Sequence, residues 1–279
     1  MAPGDRDKQM AFATRNLMPR IGVEITADPQ TLMGGSRSKE IRELLEQRGA
    51  VVFPRINLTD EQQLVFAHTL GGVIEQGEKG IFKVTLDTKE NALADYLRGT
   101  VSWHIDGFSD DVPTLGSMLS ARKLSSVGGQ TEFANTYAAY DDLPEDRKQA
   151  LQKLRVVHTM AASQRDAYPN PTAEQKAAWS RFPEKIHPLI WAHRSGRKSL
   201  VLGSSCSHIV GMENAKAEAL LSELLTWATQ PKFVYQHEWS LGDLVIWDNT
   251  GCMHRVLAYP ANSGRMMHRT TLVGEEAIA

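Results

Sequence analysis

His104-Ile105-Asp106, joined far downstream by His254 and then by Arg265 and Arg269, supplies two imidazoles, one carboxylate and two guanidinium groups. Two histidines and a carboxylate on one face of a ferrous ion leave its opposite positions open for a cosubstrate and O2. In an extended segment residues i and i+2 project to the same side, so His104 and Asp106 can grip one ion while Ile105 points into the wall. Arg265 and Arg269 share a face by the same period of two. Guanidiniums on the wall of a metal cavity call for anions, which their planar forks bind in bidentate fashion better than lysine does.

The tripeptide alone says little, because nine histidines and 33 acidic residues make a chance H-x-D pair common. Its surroundings say more. Trp103-His104-Ile105-Asp106-Gly107 follows the polar Arg98-Gly99-Thr100 turn, and His254 comes soon after the apolar run Leu244-Val245-Ile246-Trp247, the place where a buried strand delivers a side chain to a cavity. Cys252 is two residues from His254 but is read as a packed thiol, since the triad is complete without it.

With these motifs in register the chain resembles the taurine and 2,4-dichlorophenoxyacetate dioxygenase family of Fe(II)- and 2-oxoglutarate-dependent oxygenases, from about Gly49 to Gly274. Gly128-Gly129-Gln130-Thr131-Glu132-Phe133 matches the family's G-G-x-T strand, Thr131 standing 25 residues after Asp106. Arg265 and Arg269 lie 11 and 15 residues after His254. The resemblance implies that His104, Asp106 and His254 are iron ligands, that Thr131 and Arg265 bind 2-oxoglutarate, and that Arg269 anchors an acidic substrate. It also implies the reaction: with Fe(II), O2 and 2-oxoglutarate, an aliphatic carbon is hydroxylated while succinate and CO2 are released. Related halogenases replace the carboxylate ligand with a small residue, so an intact Asp106 favours oxygen transfer.

The elements that must position these groups are legible in outline. Ala50-Val51-Val52-Phe53 reads as a buried strand, and Thr59 with Gln62 has capping-box spacing for a helix. Strands are expected near 117–121, 131–135, 199–202, 233–239, 243–248 and 265–272, and helices at 145–154, 172–181 and 214–229. That pattern predicts a mainly β fold with helical additions: one domain over 1–279, with an α/β shoulder and lid loop in 1–100 and a double-stranded β-helix (jelly roll) in 101–279 carrying an insert at 140–230. The loop 77–100 is the expected lid, with Phe82 and Tyr96 offering apolar substrate contacts. His208 lies in a segment that approaches the substrate pocket in the resembled family and is a candidate substrate contact. His193 reads as structural, and His268, between two inward arginines, should face away.

Composition narrows the classes. In 279 residues, 42% hydrophobic and 23% charged, there is material for a large core. A net charge of −2 gives no general attraction to nucleic acid or anionic membrane. Met1 to Lys8 lacks the apolar core of a signal peptide, and two cysteines make no disulfide framework, so a cytoplasmic protein is expected, with homo-oligomerisation left open. The expected partner is a small to medium hydrophobic carboxylic acid, either aryloxyalkanoate-like or a natural-product acid such as a terpenoid. Sulfonates, sulfate esters, and desaturating or epoxidising outcomes are alternatives. A non-catalytic metal-binding jelly roll would leave Thr131 and Arg265 without a purpose.

Overall fold

The computed structural model describes residues 12–279, so Met1 to Lys8 lie outside the described residues. Eight strands form one mixed sheet: β1 (Ala13–Asn16), β2 (Val23–Thr26), β3 (Ala50–Phe53), β4 (Val73–Ile74), β5 (Phe82–Val84), β6 (Gly116–Lys123), β14 (Leu244–Asp248) and β16 (Met266–Leu272). Its centre runs β3, β14, β6, β16, all antiparallel, while β2 joins β3 in parallel and β4 and β5 both pair with β16. A second sheet, of three antiparallel strands, has β7 (Thr131–Asn135) between β13 (Val234–His237) and β15 (Cys252–Val256). The insert adds β8 (Arg155–His158), flanked by β9 (Lys185–Pro188) and β12 (Cys206–Ile209), and the hairpin β10 (Ile190–Ala192) with β11 (Lys198–Leu200).

Apolar alternation places these layers. Ala50, Val52, Val245, Trp247, Leu119 and Met267 face the second sheet and pack with Phe133 and Cys252. Val51, Phe53, Leu244, Ile246 and Met118 face the other way, onto α1 (Pro29–Met33), α2 (Ser38–Arg48) and α3 (Asp60–Leu70), which offer Leu32, Ile41, Leu45 and Phe66. Both faces of the central strands are thus dry, which explains why β3 and β14 read as continuous apolar runs. The far side of the second sheet, through Ala134 and Met253, packs on the insert, where α4 (Thr136–Asp141), α5 (Glu145–Leu151), α6 (Met160–Gln164), α7 (Ala173–Trp179) and α8 (Asn214–Ala228) lie.

The expected capping box is present, Gln62 N donating to Thr59 Oγ1 at 3.2 Å and Thr59 N to Gln62 Oε1 at 2.9 Å. The five strands of the N-terminal segment all enter the main sheet, β3 being the antiparallel neighbour that buries one edge of β14. The expected lid loop also contains order, with β5 hydrogen-bonded along β16 and a 3-10 turn at Tyr96–Val101. No helix among the described residues is long and apolar enough to cross a membrane.

Candidate metal centre

His104 and His254 are brought together by the backbone before their side chains meet anything. An isolated antiparallel bridge links them, His104 N donating to His254 O at 3.1 Å and His254 N to His104 O at 2.9 Å. The imidazoles lie 4.1 Å apart between centroids, and Trp247 packs on His254 at 4.6 Å. Asp106, two residues on, turns its carboxylate between them, 3.9 Å from His104 Nε2 and 3.8 Å from His254 Nε2. Two donors each about 2.1 Å from one ion stand at most about 4.2 Å apart, so these spacings suit a shared first-row metal.

The protonation states suit a metal as well. His104 Nδ1 donates to the Ser102 carbonyl at 2.8 Å, which orients the ring with Nε2 toward Asp106. Burial pushes His254 down to about 3, so its ring is the neutral, ligating form. For Asp106 burial acts to raise the pKa, but His254, Arg269 and His104 outweigh it and hold the carboxylate below its usual range. Its Oδ2 is buried without a hydrogen-bond partner among the described residues. A buried, ionised carboxylate set between two imidazoles, with one oxygen lacking a hydrogen bond, is a state a cation satisfies.

Beside this cluster a small cavity of about 60 Å³ is lined by Thr131, Trp247, His254, Tyr259, Arg265 and Arg269, among others. Arg265 is 3% exposed, donates from Nη2 to Gly129 O at 3.0 Å, and keeps a buried Nε with no partner among the described residues. Burial draws its pKa down, yet a guanidinium remains charged at neutral pH. Gly129, at φ +84°, lets the arginine pass, since a Cβ there would stand 2.9 Å from Arg265 Nε. Thr131 Oγ1 accepts from Trp239 Nε1 at 3.0 Å, which leaves the hydroxyl proton to donate into the cavity. A carboxylate between Thr131 and Arg265 would meet two donors.

A larger cavity of about 630 Å³ opens on the other side of His104 and Asp106. Arg269 lies on its wall, its Nη1 3.7 Å from Asp106 Oδ2 and its guanidinium 4.9 Å from the Phe82 ring centroid. Phe82 and Tyr96, expected as apolar contacts, line it with Leu97, Ile105, Phe108 and Met160. His208 does not reach it. The ladder between β12 and β8 shifts register between Cys206 and His208, so the alternation breaks and both Ser207 and His208 face solvent while Cys206 and Ile209 turn inward. His268 faces away as expected, its Nδ1 2.8 Å from Asp60 Oδ1. His193 is buried against Trp191 and Tyr137, and Cys252 is packed within the core.

Asn249 is the contributor that sequence reading passed over. Its Oδ1 accepts from Asp106 N at 2.8 Å, and its Nδ2 donates to Asp106 O at 2.6 Å and to Thr114 O at 3.2 Å. A polar residue in the turn that follows β14 and leads to His254 was the signal that could have found it.

Comparison with known proteins follows the same lines. The model of the family described as "Taurine catabolism dioxygenase TauD, TfdA family" matches residues 13–271. An alpha-ketoglutarate-dependent 2,4-dichlorophenoxyacetate dioxygenase of Burkholderia sp. strain RASC is 37% identical over 269 residues, 88% of this chain and 90% of that protein. An alkylsulfatase of Acinetobacter baylyi is 31% identical, over 94% of this chain and 84% of that protein. The crystal structure of AAD-2 in complex with Mn(II) and N-oxalylglycine superposes with a TM-score of 0.84 at 32% identity, over 97% of this chain and 100% of that one.

Proposed function

Because the chain belongs to the TauD, TfdA family and is therefore an alpha-ketoglutarate-dependent dioxygenase using Fe(II), 2-oxoglutarate and O2, we propose that it hydroxylates an aliphatic carbon of a small to medium hydrophobic carboxylic acid. The observation that carries this reading is Arg269, a charged group on the wall of a mainly apolar cavity, 3.7 Å from the Asp106 carboxylate. An anionic head at that guanidinium would stand beside the triad, with the apolar body against Phe82 and Leu97. The identity to a 2,4-dichlorophenoxyacetate dioxygenase supports an aryloxyalkanoate-like acid, and natural-product acids satisfy the same chemistry.

In this reading His104, Asp106 and His254 hold Fe(II) through Nε2, a carboxylate oxygen and Nε2. Iron bound there with 2-oxoglutarate and O2 supplies the oxidation, 2-oxoglutarate leaving as succinate and CO2. Arg265 clamps the far carboxylate of 2-oxoglutarate and Thr131 adds a hydroxyl donor. Arg269 would fix the substrate's acid beside the triad, and the apolar wall would exclude water from the bound body. We read the two facing sheets as a double-stranded β-helix and residues 1–279 as one domain carrying this site.

Succinate release, measured with Fe(II) and 2-oxoglutarate across a panel of carboxylates, sulfonates and sulfate esters, tests the reading. Hydrophobic carboxylates should stimulate release and yield hydroxylated product. Stimulation by sulfate esters alone, the reading favoured by the 31% identity to an alkylsulfatase, would overturn it.

A further inference from the structure

The wall of the large cavity is apolar over most of its extent, and Gln164, at the end of α6, interrupts it. Its side chain is buried, the residue being 3% exposed, and its Oε1 has no hydrogen-bond partner among the described residues. Nε2 makes one long contact, donating to the Tyr96 carbonyl at 3.4 Å. The amide is seated against Gly99, where a Cβ would lie 2.7 Å from Nε2 and 3.0 Å from Oε1. Glycine at 99 therefore makes room for the amide plane. An amide that serves only to tie α6 to the 3-10 turn would use its acceptor as well as its donor, because a buried acceptor without a partner is unfavourable.

We propose that Gln164 is a second recognition point for substrate: its Oε1 accepts a hydrogen bond from a hydroxyl or N–H on the body of a bulky acid whose carboxylate is held by Arg269. This rests on the acid reading above and narrows it. A cavity of about 630 Å³ lies mid-range among the roughly 300–1,000 Å³ pockets that enclose drug-sized ligands, so it suits two-ring or polycyclic acids over single-ring ones. A placed acceptor discriminates strongly, since an analogue lacking the donor leaves that acceptor unpaired.

The test uses the full chain loaded anaerobically with Fe(II) and 2-oxoglutarate, and calorimetric titration with phenoxyacetate, 4-phenoxyphenoxyacetate and the three derivatives of the latter that carry one hydroxyl on the outer ring. We expect 4-phenoxyphenoxyacetate to bind more tightly than phenoxyacetate, and at least one hydroxyl isomer to bind roughly tenfold more tightly than the parent two-ring acid. That hydroxyl preference should collapse to near one in Gln164→Met, which keeps the side chain's length, and return in Gln164→Glu, which keeps an acceptor oxygen. A structural role alone would shift all the acids together and leave the ratio unchanged. Hydroxyl isomers that bind no better than the parent acid, or a preference unaffected by Gln164→Met, would overturn the role of Gln164 while leaving the acid reading standing. Failure of all five acids to bind the wild-type protein would overturn both.

Discussion

Asn249 offers the sharpest test of how the proposed metal site is held. It is 1% exposed and supplies no metal-binding atom of its own, yet it clasps both the N–H and the C=O of Asp106 and the carbonyl of Thr114. Asn249→Ala would leave the N–H and C=O of Asp106 and the carbonyl of Thr114 without that partner. At about 1–3 kcal/mol each, with water recovering part, the loss is roughly 3–6 kcal/mol. In a chain of this length 1 kcal/mol moves Tm by about 2–4 °C, so a fall of roughly 6–24 °C is expected. Freed from its clasp, Asp106 should also lose its alignment between the two imidazoles, and changes to groups that orient a ligand cost about 10–100-fold in metal affinity. Titration with Mn(II), followed by loss of the free-ion EPR signal at a temperature where the variant is still folded, separates the two effects. A lowered Tm with an Mn(II) Kd within twofold of wild type would refute the idea that Asn249 positions the ligand.

The other expectations concern single groups. His104→Ala, Asp106→Ala and His254→Ala should each abolish hydroxylated product, measured separately from succinate, and weaken Mn(II) binding; wild-type product from any of them would refute the ligand assignment. Arg265→Ala should raise the 2-oxoglutarate requirement, and Arg269→Ala chiefly the substrate KM, each by a factor of about 30 or more for a loss of roughly 2 kcal/mol or above; an Arg269→Ala enzyme with unchanged KM for every acid would contradict the anchor. Burial pushes His158 down to about 3, so the unfolded chain takes up its proton first as pH drops below about 6.5. The native state is then favoured fully above that pH and loses about 1.4 kcal/mol between pH 7.5 and 5.5 from this residue. Urea unfolding of wild type and His158→Gln at the two pH values should show that difference in pH dependence, and an equal dependence in both would refute it.

What the amino-acid order determined was chemistry of short range. H-x-D on an extended segment, Thr131 in its G-G-x-T strand and the two arginines four apart each depend on local period and residue type, and each lies beside the metal cluster or its adjoining cavities. The paired apolar runs of β3 and β14 and the Thr59 capping box were legible for the same reason. The tertiary structure decided what depends on distant partners. It placed the strands of the first hundred residues in the main sheet, because β14 needed a neighbour on its other edge. It turned His208 outward, since a single register shift reverses which side of a strand a residue faces and leaves no mark in the residue order. It also set Asn249 on Asp106 and Gln164 on Gly99, contacts spanning 143 and 65 positions that neither periodicity nor composition encodes. The identity of the reactive groups is therefore written locally, while their orientation, and which further side chains meet them, follows from long-range packing.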